Sequence, residues 1–183
     1  MGEIRPQRPV LLIAAVSSRY ESAIEDWTRE KSQAAWGNIC LESDLFDFTE
    51  TGFYTTTMGT DLKKKIFAYE NLLPPDELPD TKILSNGWEQ FYASQCDWPE
   101  IRPLNIDTGY ITEAKLVLAT TKDRDHRVYL RDGIFAEVTM HYSQRKWAKS
   151  RWTYPDYQRE DFQSFFTSCR DYLRKRYKTD IDS

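Results

Sequence analysis

The sequence predicts an α+β domain: a ferredoxin-like β-α-β-β-α-β core with a largely antiparallel sheet, extended by a β-hairpin and a C-terminal helix. Three observations carry this. Val10 to Val16 is an unbroken apolar run between Pro9 and Ser17, the pattern of a strand covered on both faces. Asp132-Gly133 separates two strand-like runs, a good hairpin signal. Phe162, Phe165, Phe166, Cys169, Tyr172 and Leu173 recur at i, i+3, i+4 spacing, the stripe of a helix packed on a core.

The elements follow in chain order. After the first strand, Ser18-x-x-Glu21 reads as a capping box. Ile24, Trp27, Ala34 and Ala35 then share one helical face, and Gly37 stands at the C-cap position. Residues 39–49, with Ile39, Leu41, Leu45, Phe46 and Phe48, read as a second strand interrupted by acids. Gly52 to Asp61 is turn-rich, and Ile66 to Tyr69 is a short third strand. Pro74-Pro75-Asp76-Glu77 is a helix entry. Leu78, Ile83, Leu84, Trp88, Phe91 and Tyr92 give the second helix a broken apolar face, with Gly87 its weak point. Asp97 to Glu100 is a loop and Leu116 to Thr120 the fourth strand. Val128 to Leu130 and Ile134 to Tyr142 are the fifth and sixth. Trp152 to Tyr157 is a rigid aromatic loop around Pro155, and the last helix begins near Arg159. The sheet is expected to carry its helices on one face. The 183 residues are expected to form one domain, 1–183.

Charge and cysteine usage narrow the function classes. No run of 18 apolar residues is present, so no membrane span is expected. Arg5 and Arg8 precede the apolar run, but the helical pattern after Ser18 makes a buried first strand the better account than a leader. Cys40, Cys96 and Cys169 are odd in number, far apart and without a Cys-x-x-Cys pair. That usage suits reduced thiols in the cytoplasm. The net charge is −4, distributed as −8 over residues 1–144 and +4 over 145–183. Arg174, Lys175, Arg176 and Lys178 crowd the end of the chain. They read either as a footprint for nucleic acid or as cations complementing the last turn of a helix. The 26 aromatic residues read first as core.

Chemistry-bearing groups concentrate between Asn105 and Tyr142, where both histidines fall. Alternation in the sixth strand puts Phe135, Glu137, Thr139 and His141 on one face and Ile134, Ala136, Val138 and Met140 on the other. Lys115 and Thr121 on a neighbouring strand would extend the polar face. Thr120-Thr121-Lys122-Asp123-Arg124-Asp125-His126-Arg127 leaves a strand for a loop. Its hydroxyls, cations and histidine suit an anion, although Asp123 and Asp125 weaken that field and would suit a hard cation. His126, Glu137 and His141 are the candidates for proton transfer. Asp107, Lys115, Thr120, Thr121, Lys122, Arg127, Tyr129, Trp152, Tyr154 and Asp156 are the candidate ligand-binding residues. The histidine spacing fits no compact zinc motif, so no metal ligand is assigned. No phosphate-binding P-loop, Gly-x-Gly-x-x-Gly, Gly-x-Ser-x-Gly or His-Glu-x-x-His occurs. His126-Arg127-Val128 and His141-Tyr142-Ser143 depart from paired His-x-Thr motifs at the third position.

Leu-Ala-Thr-Thr-Lys-Asp (118–123), His126-Arg127-Val128-Tyr129-Leu130 and Trp152-Thr153-Tyr154-Pro155-Asp156-Tyr157 form a specific combination. Together with Pro9 to Ser18, Glu42 to Phe48, Met58-Gly59, Leu62 to Phe67, Asn105 to Tyr110 and Gly133 to Thr139, it resembles an uncharacterised family of small prokaryotic proteins, domain-of-unknown-function family 4416. Thr108 departs from the proline expected between Asp107 and Gly109. The resemblance implies one intact domain and carries no activity with it.

The expected function is a cytoplasmic domain, a binder or an enzyme, for a small phosphorylated or carboxylated molecule. Lys115, Lys122, His126 and Arg127 would hold the anion, and Glu137 and His141 would move protons. No cofactor is indicated. Replacing Lys122 and Arg127 together by Ala is expected to abolish ligand-induced stabilisation with the fold intact. Two other classes remain open: a protein- or RNA-interaction module using the basic C-terminal segment and Trp152 to Tyr157, and a metal-dependent hydrolase.

Overall fold

The computed structural model describes residues 2–4, 6–49, 54–95 and 97–179. Arg5, Gly52 and Cys96 lie outside them. The described residues form an α+β structure of four α-helices and a nine-stranded open sheet whose neighbouring strands are all antiparallel. Strand β1 (Leu11–Ser18) is buried at every position, as a doubly covered strand requires. It pairs with β4 (Lys63–Tyr69) on one side and β5 (Asn105–Ile111) on the other. β2 (Ile39–Glu42) and β3 (Phe46–Asp47) both pair with β4. Beyond β5 come β6 (Lys115–Thr120), β8 (Ile134–Ser143) and the edge strand β7 (Val128–Arg131), with β9 (Lys146–Lys149) also on β8.

The helices cover both faces of this sheet, not one. Helix α1 (Arg29–Trp36) and helix α3 (Leu78–Ser94) put Trp36 and Tyr92 into a core with Leu12, Ala14 and Val16. Helix α4 (Glu160–Thr179) puts Phe162, Phe166 and Cys169 against Leu11, Ile13 and Ala15. Alternate residues of β1 therefore feed two cores, which is why its sequence is apolar without a break. Cys40 and Cys169 are free thiols. Among the described residues no helix is long and apolar enough to cross a membrane.

Several local expectations are corrected. Ser18 forms no capping box. Its hydroxyl donates to the Pro103 carbonyl (2.7 Å) and accepts from the Tyr20 amide (3.0 Å). A π-helical stretch, Ala23–Thr28, precedes α1, and the Thr28 hydroxyl donates to the Ala23 carbonyl five residues back (2.6 Å). The predicted single strand over 39–49 is two. The third strand starts three residues earlier than Ile66, because Lys64 and Lys65 enter the sheet with counter-charges, the buried Asp156 and the half-buried Glu25 (2.5 Å each). Above all, Asn105–Ile111 is the strand beside β1, the place expected for Leu116–Thr120 in a ferredoxin-like order. Asn, Asp and Gly are poor advertisements for a strand, and tertiary pairing of the Asn105 and Asp107 side chains outweighs that here. Helix α2 (Thr55–Met58) and β9 were not anticipated.

The predicted hairpin is present. Asp132 and Gly133 both have left-handed backbones (φ 53° and 77°), the geometry of a type I′ turn. The strand that follows carries a bulge: Leu116 faces Met140 and Val117 faces Val138, so Thr139 is the extra residue. A bulge breaks the two-residue period. Glu137 and Met140 are consequently buried while His141 is exposed, and the expected shared face of Glu137 and His141 does not exist.

Candidate functional site

The sheet comes apart at one place. β5 pairs with β1 along its whole length from Asn105. It pairs with β6 only from Gly109 to Ile111. β6 meanwhile stays with β8 up to Thr120. The first residues of β5 and the last of β6 therefore diverge, and a cavity of about 380 Å³ opens between them. Gly109 sits where the two strands are still in contact. A Cβ there would lie 2.4 Å from the Val117 carbonyl oxygen, so only glycine lets the backbones meet before they part.

Each wall has its own chemistry. From β5 come Asn105 and Asp107; from β6 and the loop beyond it come Leu118 to Lys122 and Arg124. α3 contributes Lys82 and Asn86, β4 contributes Lys64, and β8 contributes Glu137. Phe48, Tyr54, Tyr154 and Tyr157 supply rings. Six basic side chains (Lys64, Lys82, Arg102, Lys122, Arg124, Arg127) face three acidic ones (Asp107, Glu137, Asp156), and Glu89 compensates Arg102 from outside the lining, which leaves an excess of two positive charges in a site walled by protein.

Most of these groups hold one another. Lys82 donates to the Ile106 carbonyl (2.7 Å) and to Asp107 Oδ1 (3.2 Å). Asn105 Nδ2 donates to Asp107 Oδ2 (2.9 Å), and Arg102 donates to Asn105 Oδ1 and to Glu89 Oε2 (2.8 Å). Glu89 Oε1 accepts from the Ile106 amide (2.7 Å), which fixes the start of β5. Lys64 is paired with Asp156 and lies over the Phe48 and Tyr157 rings at 4.3 and 5.0 Å. Arg127 donates to Glu137 Oε2 (2.7 Å), to the Lys122 carbonyl (2.9 Å) and to the Tyr154 hydroxyl (2.9 Å). Arg127 thereby ties together the strand, the loop and the aromatic segment that frame the cavity.

Asp107 is the carboxylate most open to the cavity, its side chain 31% exposed against 2% for Glu137 and 5% for Asp156. Burial pushes its carboxyl up. Lys82, Lys64, the Asn105 hydrogen bond and Arg102 outweigh burial and hold it below the ordinary aspartate value. It is therefore an ionised acceptor. Burial raises Glu89 above its ordinary value despite Lys82 and Arg102. Burial also raises the Tyr54, Tyr154 and Tyr157 phenols, so they stay protonated and able to donate. Among the described residues no three His, Cys, Asp or Glu side chains form a group that could hold a metal ion.

Eight of the residues singled out from the sequence line this cavity: Asp107, Thr120, Thr121, Lys122, Arg127, Glu137, Tyr154 and Asp156. His126 stands behind it. Its Nε2 is 3.3 Å from Glu137 Oε2, and its ring stacks on Trp152 at 4.9 Å, so His126 and Trp152 buttress the wall. Lys115 and His141 pair across β6 and β8 and are exposed. They sit at the far end of β6 from Thr120, roughly 17 Å away at the usual strand rise. Tyr129 is exposed on β7 and packs edge-on against Phe135. The bulge and the strand length take these three away from the site.

Arg127 also corrects the expectation for a double Lys122, Arg127 variant. Its side chain is 5% exposed and compensates a carboxylate that is 2% exposed. Removing it strands that charge, so that variant would lose stability along with any ligand response. Lys64, Lys82, Arg102, Asn105, Tyr54 and Tyr157 were missed. One signal was available: Leu78, Lys82, Ser85, Glu89 and Tyr92 form a buried stripe at helical spacing, and Lys and Glu are seldom fully buried unless paired.

Comparison with curated proteins and with solved structures gives no match. The family model described as Domain of unknown function (DUF4416) matches residues 8–172, and the chain belongs to that family.

Proposed function

We propose that the protein binds a small phosphorylated or carboxylated molecule in the cavity between the diverging ends of β5 and β6. The observation that carries this is the positive excess of a protein-walled site. Lys64, Lys82, Arg102 and Arg127 each have a carboxylate partner; the other basic side chains of the lining, Lys122 and Arg124, lie on the loop after β6. Arg124 forms no ion pair among the described residues. Thr121, Lys122 and Arg124 there offer a hydroxyl and two cationic heads at the mouth of the cavity, the donors an anion takes. Free thiols at Cys40 and Cys169 support a reducing, cytoplasmic setting.

We also read β1, α1, β2, β4, α3 and β5 as a ferredoxin-like core, a reading supported by the spatial order β2-β4-β1-β5 and by α1 and α3 sharing one face. The basic C-terminal segment carries less of a functional argument. Arg170 donates to the Glu113 carbonyl, Arg174 pairs with Glu113, and Arg176 donates to the Glu70 carbonyl.

The test is a thermal-shift screen with inorganic phosphate, sugar phosphates, nucleotides and small carboxylates. A probe at about 100 times its Kd stabilises by about 2.7 kcal/mol, roughly 5–11 °C for a domain of this size. The Lys122→Ala, Arg124→Ala double variant should keep its melting temperature and lose that response. No shift with any probe, or a full shift in the variant, would defeat the proposal.

A further inference from the structure

The carboxylates of the cavity are not equally engaged. Glu137 accepts from Arg127 at 2.7 Å with His126 Nε2 at 3.3 Å, and Asp156 is closed on Lys64 at 2.5 Å. Both are almost fully out of water. Asp107 is different. Lys82 reaches its Oδ1 at 3.2 Å and Asn105 Nδ2 reaches its Oδ2 at 2.9 Å, one donor to each oxygen. An ionised carboxylate takes about four hydrogen bonds, and this side chain remains 31% exposed on the cavity wall. Its position is fixed from behind, because Arg102 holds Asn105 and Lys82 is tied to the Ile106 carbonyl.

A second group stands beside it. Asn86 follows Lys82 by one turn of α3 and also lines the cavity. Residues at that spacing lie side by side on a helix, about 5–6 Å apart at Cβ, so Asn86 neighbours the lysine that touches Asp107. Among the described residues its side chain has no hydrogen-bond partner, and a carboxamide both donates and accepts. A hydroxyl group suits the pair: it donates to the carboxylate and accepts from the amide. An ammonium group suits it less, because Lys82 already holds Oδ1 and the lining carries more basic than acidic side chains. The β5–β6 ladder ends at Gly109 opposite Leu118. Continued in register, it would put Asp107 opposite Thr120, so the pair looks across the split at the start of the loop that offers the anion donors. The volume of about 380 Å³ lies near the lower end of the usual range for ligand pockets, which suits a small molecule.

We propose that Asp107 and Asn86 form a hydroxyl-binding subsite, and that the cavity takes a small hydroxylated anion, of the sugar-phosphate or hydroxy-acid kind. This rests on the anion-binding reading and goes further by naming the second group that its ligand must carry.

The experiment is calorimetric titration of the full chain with probes matched except for their hydroxyls. Glycerol 3-phosphate is set against n-propyl phosphate, and glycerate against propionate, with 3-aminopropyl phosphate as the amine. It is repeated with Asn86→Ala and Asp107→Asn. In at least one pair the hydroxylated member should bind about ten-fold or more tightly, as a hydrogen bond to a charged group gives. That pair identifies the anion as phosphate or carboxylate. Each variant should cut the preference about three-fold or more by weakening the hydroxylated member, with the deoxy member within about two-fold of its native affinity, the pattern of one lost hydrogen bond. Asn86→Ala removes a side chain without a partner in the fold, so it should also melt with the native chain. Equal binding within both pairs would overturn this inference and leave the anion reading standing. So would a preference untouched in either variant, or the amine binding more tightly than glycerol 3-phosphate. Binding by no probe would remove both readings.

Discussion

Replacing Arg127 by Ala is expected to be severe for a reason that lies in the folded structure. The guanidinium is the closest counter-charge to Glu137, at 2.7 Å, and both side chains are almost fully out of water at 5% and 2% exposure. The remaining contacts to Glu137 are His126 Nε2 at 3.3 Å and the Thr139 hydroxyl at 3.4 Å, and neither carries a permanent positive charge. Breaking a buried pair from one side costs about 3–5 kcal/mol. For a domain of 183 residues each kcal/mol moves the melting temperature by about 2–4 °C, so the variant should melt roughly 6–20 °C lower. The Arg127→Ala, Glu137→Leu double variant should recover much of that loss, because removing both charges leaves none stranded. Urea unfolding followed by circular dichroism of the native, single and double variants gives the coupling directly. A single variant within about 1 kcal/mol of the native chain, in the range of an exposed pair, would refute the reasoning. So would a double variant that is less stable than the single.

Asp107→Asn should lower stability at neutral pH, with the deficit closing in acid. Its folded carboxyl is held below the ordinary value, so its contribution is present above the unfolded value of about 4 and is lost as pH falls through the folded value. Melting curves from pH 7 to 3 check this, and a deficit that grows toward acid would contradict it. Gly109→Ala should destabilise by about 1–3 kcal/mol, the usual cost of overpacking, because its Cβ would meet backbone at 2.4 Å; a variant as stable as the native chain would show that β5 and β6 are not constrained there. Gly133→Ala, at φ 77° in the hairpin turn, should cost about 1–2 kcal/mol by forcing an L-residue into the left-handed region, read as an earlier urea midpoint.

The elements that were legible in the sequence are those whose pattern is local. An apolar run buried on both sides, an Asp-Gly turn and a phenylalanine stripe each record a period or a backbone conformation. β5 was not legible, because Asn105, Asp107 and Gly109 are acceptable in a strand only when Arg102, Lys82 and the neighbouring Val117 backbone stand where they do. The same holds for Lys64 and Lys65, which look like loop residues until Asp156 and Glu25 are placed beside them. The site was half legible for a related reason. The Thr120 to Arg127 loop and the Tyr154 to Tyr157 segment announce polar and aromatic groups in sequence. The opposite wall is assembled from β4, β5 and α3, segments 18 to 41 residues apart in the chain, and nothing local records that meeting. One extra residue, Thr139, inverted the face on which His141 was expected.

The most direct test is to map a phosphorylated ligand onto the backbone. Amide chemical shifts of the isotope-labelled chain, followed during titration with glycerol 3-phosphate, would do this residue by residue. The account predicts perturbations confined to the walls of the cavity: residues 105–108, 119–124, Lys82, Asn86 and Tyr154. Shifts clustered on the basic end of α4, or no shifts at ligand concentrations that saturate ordinary binding sites, would contradict it.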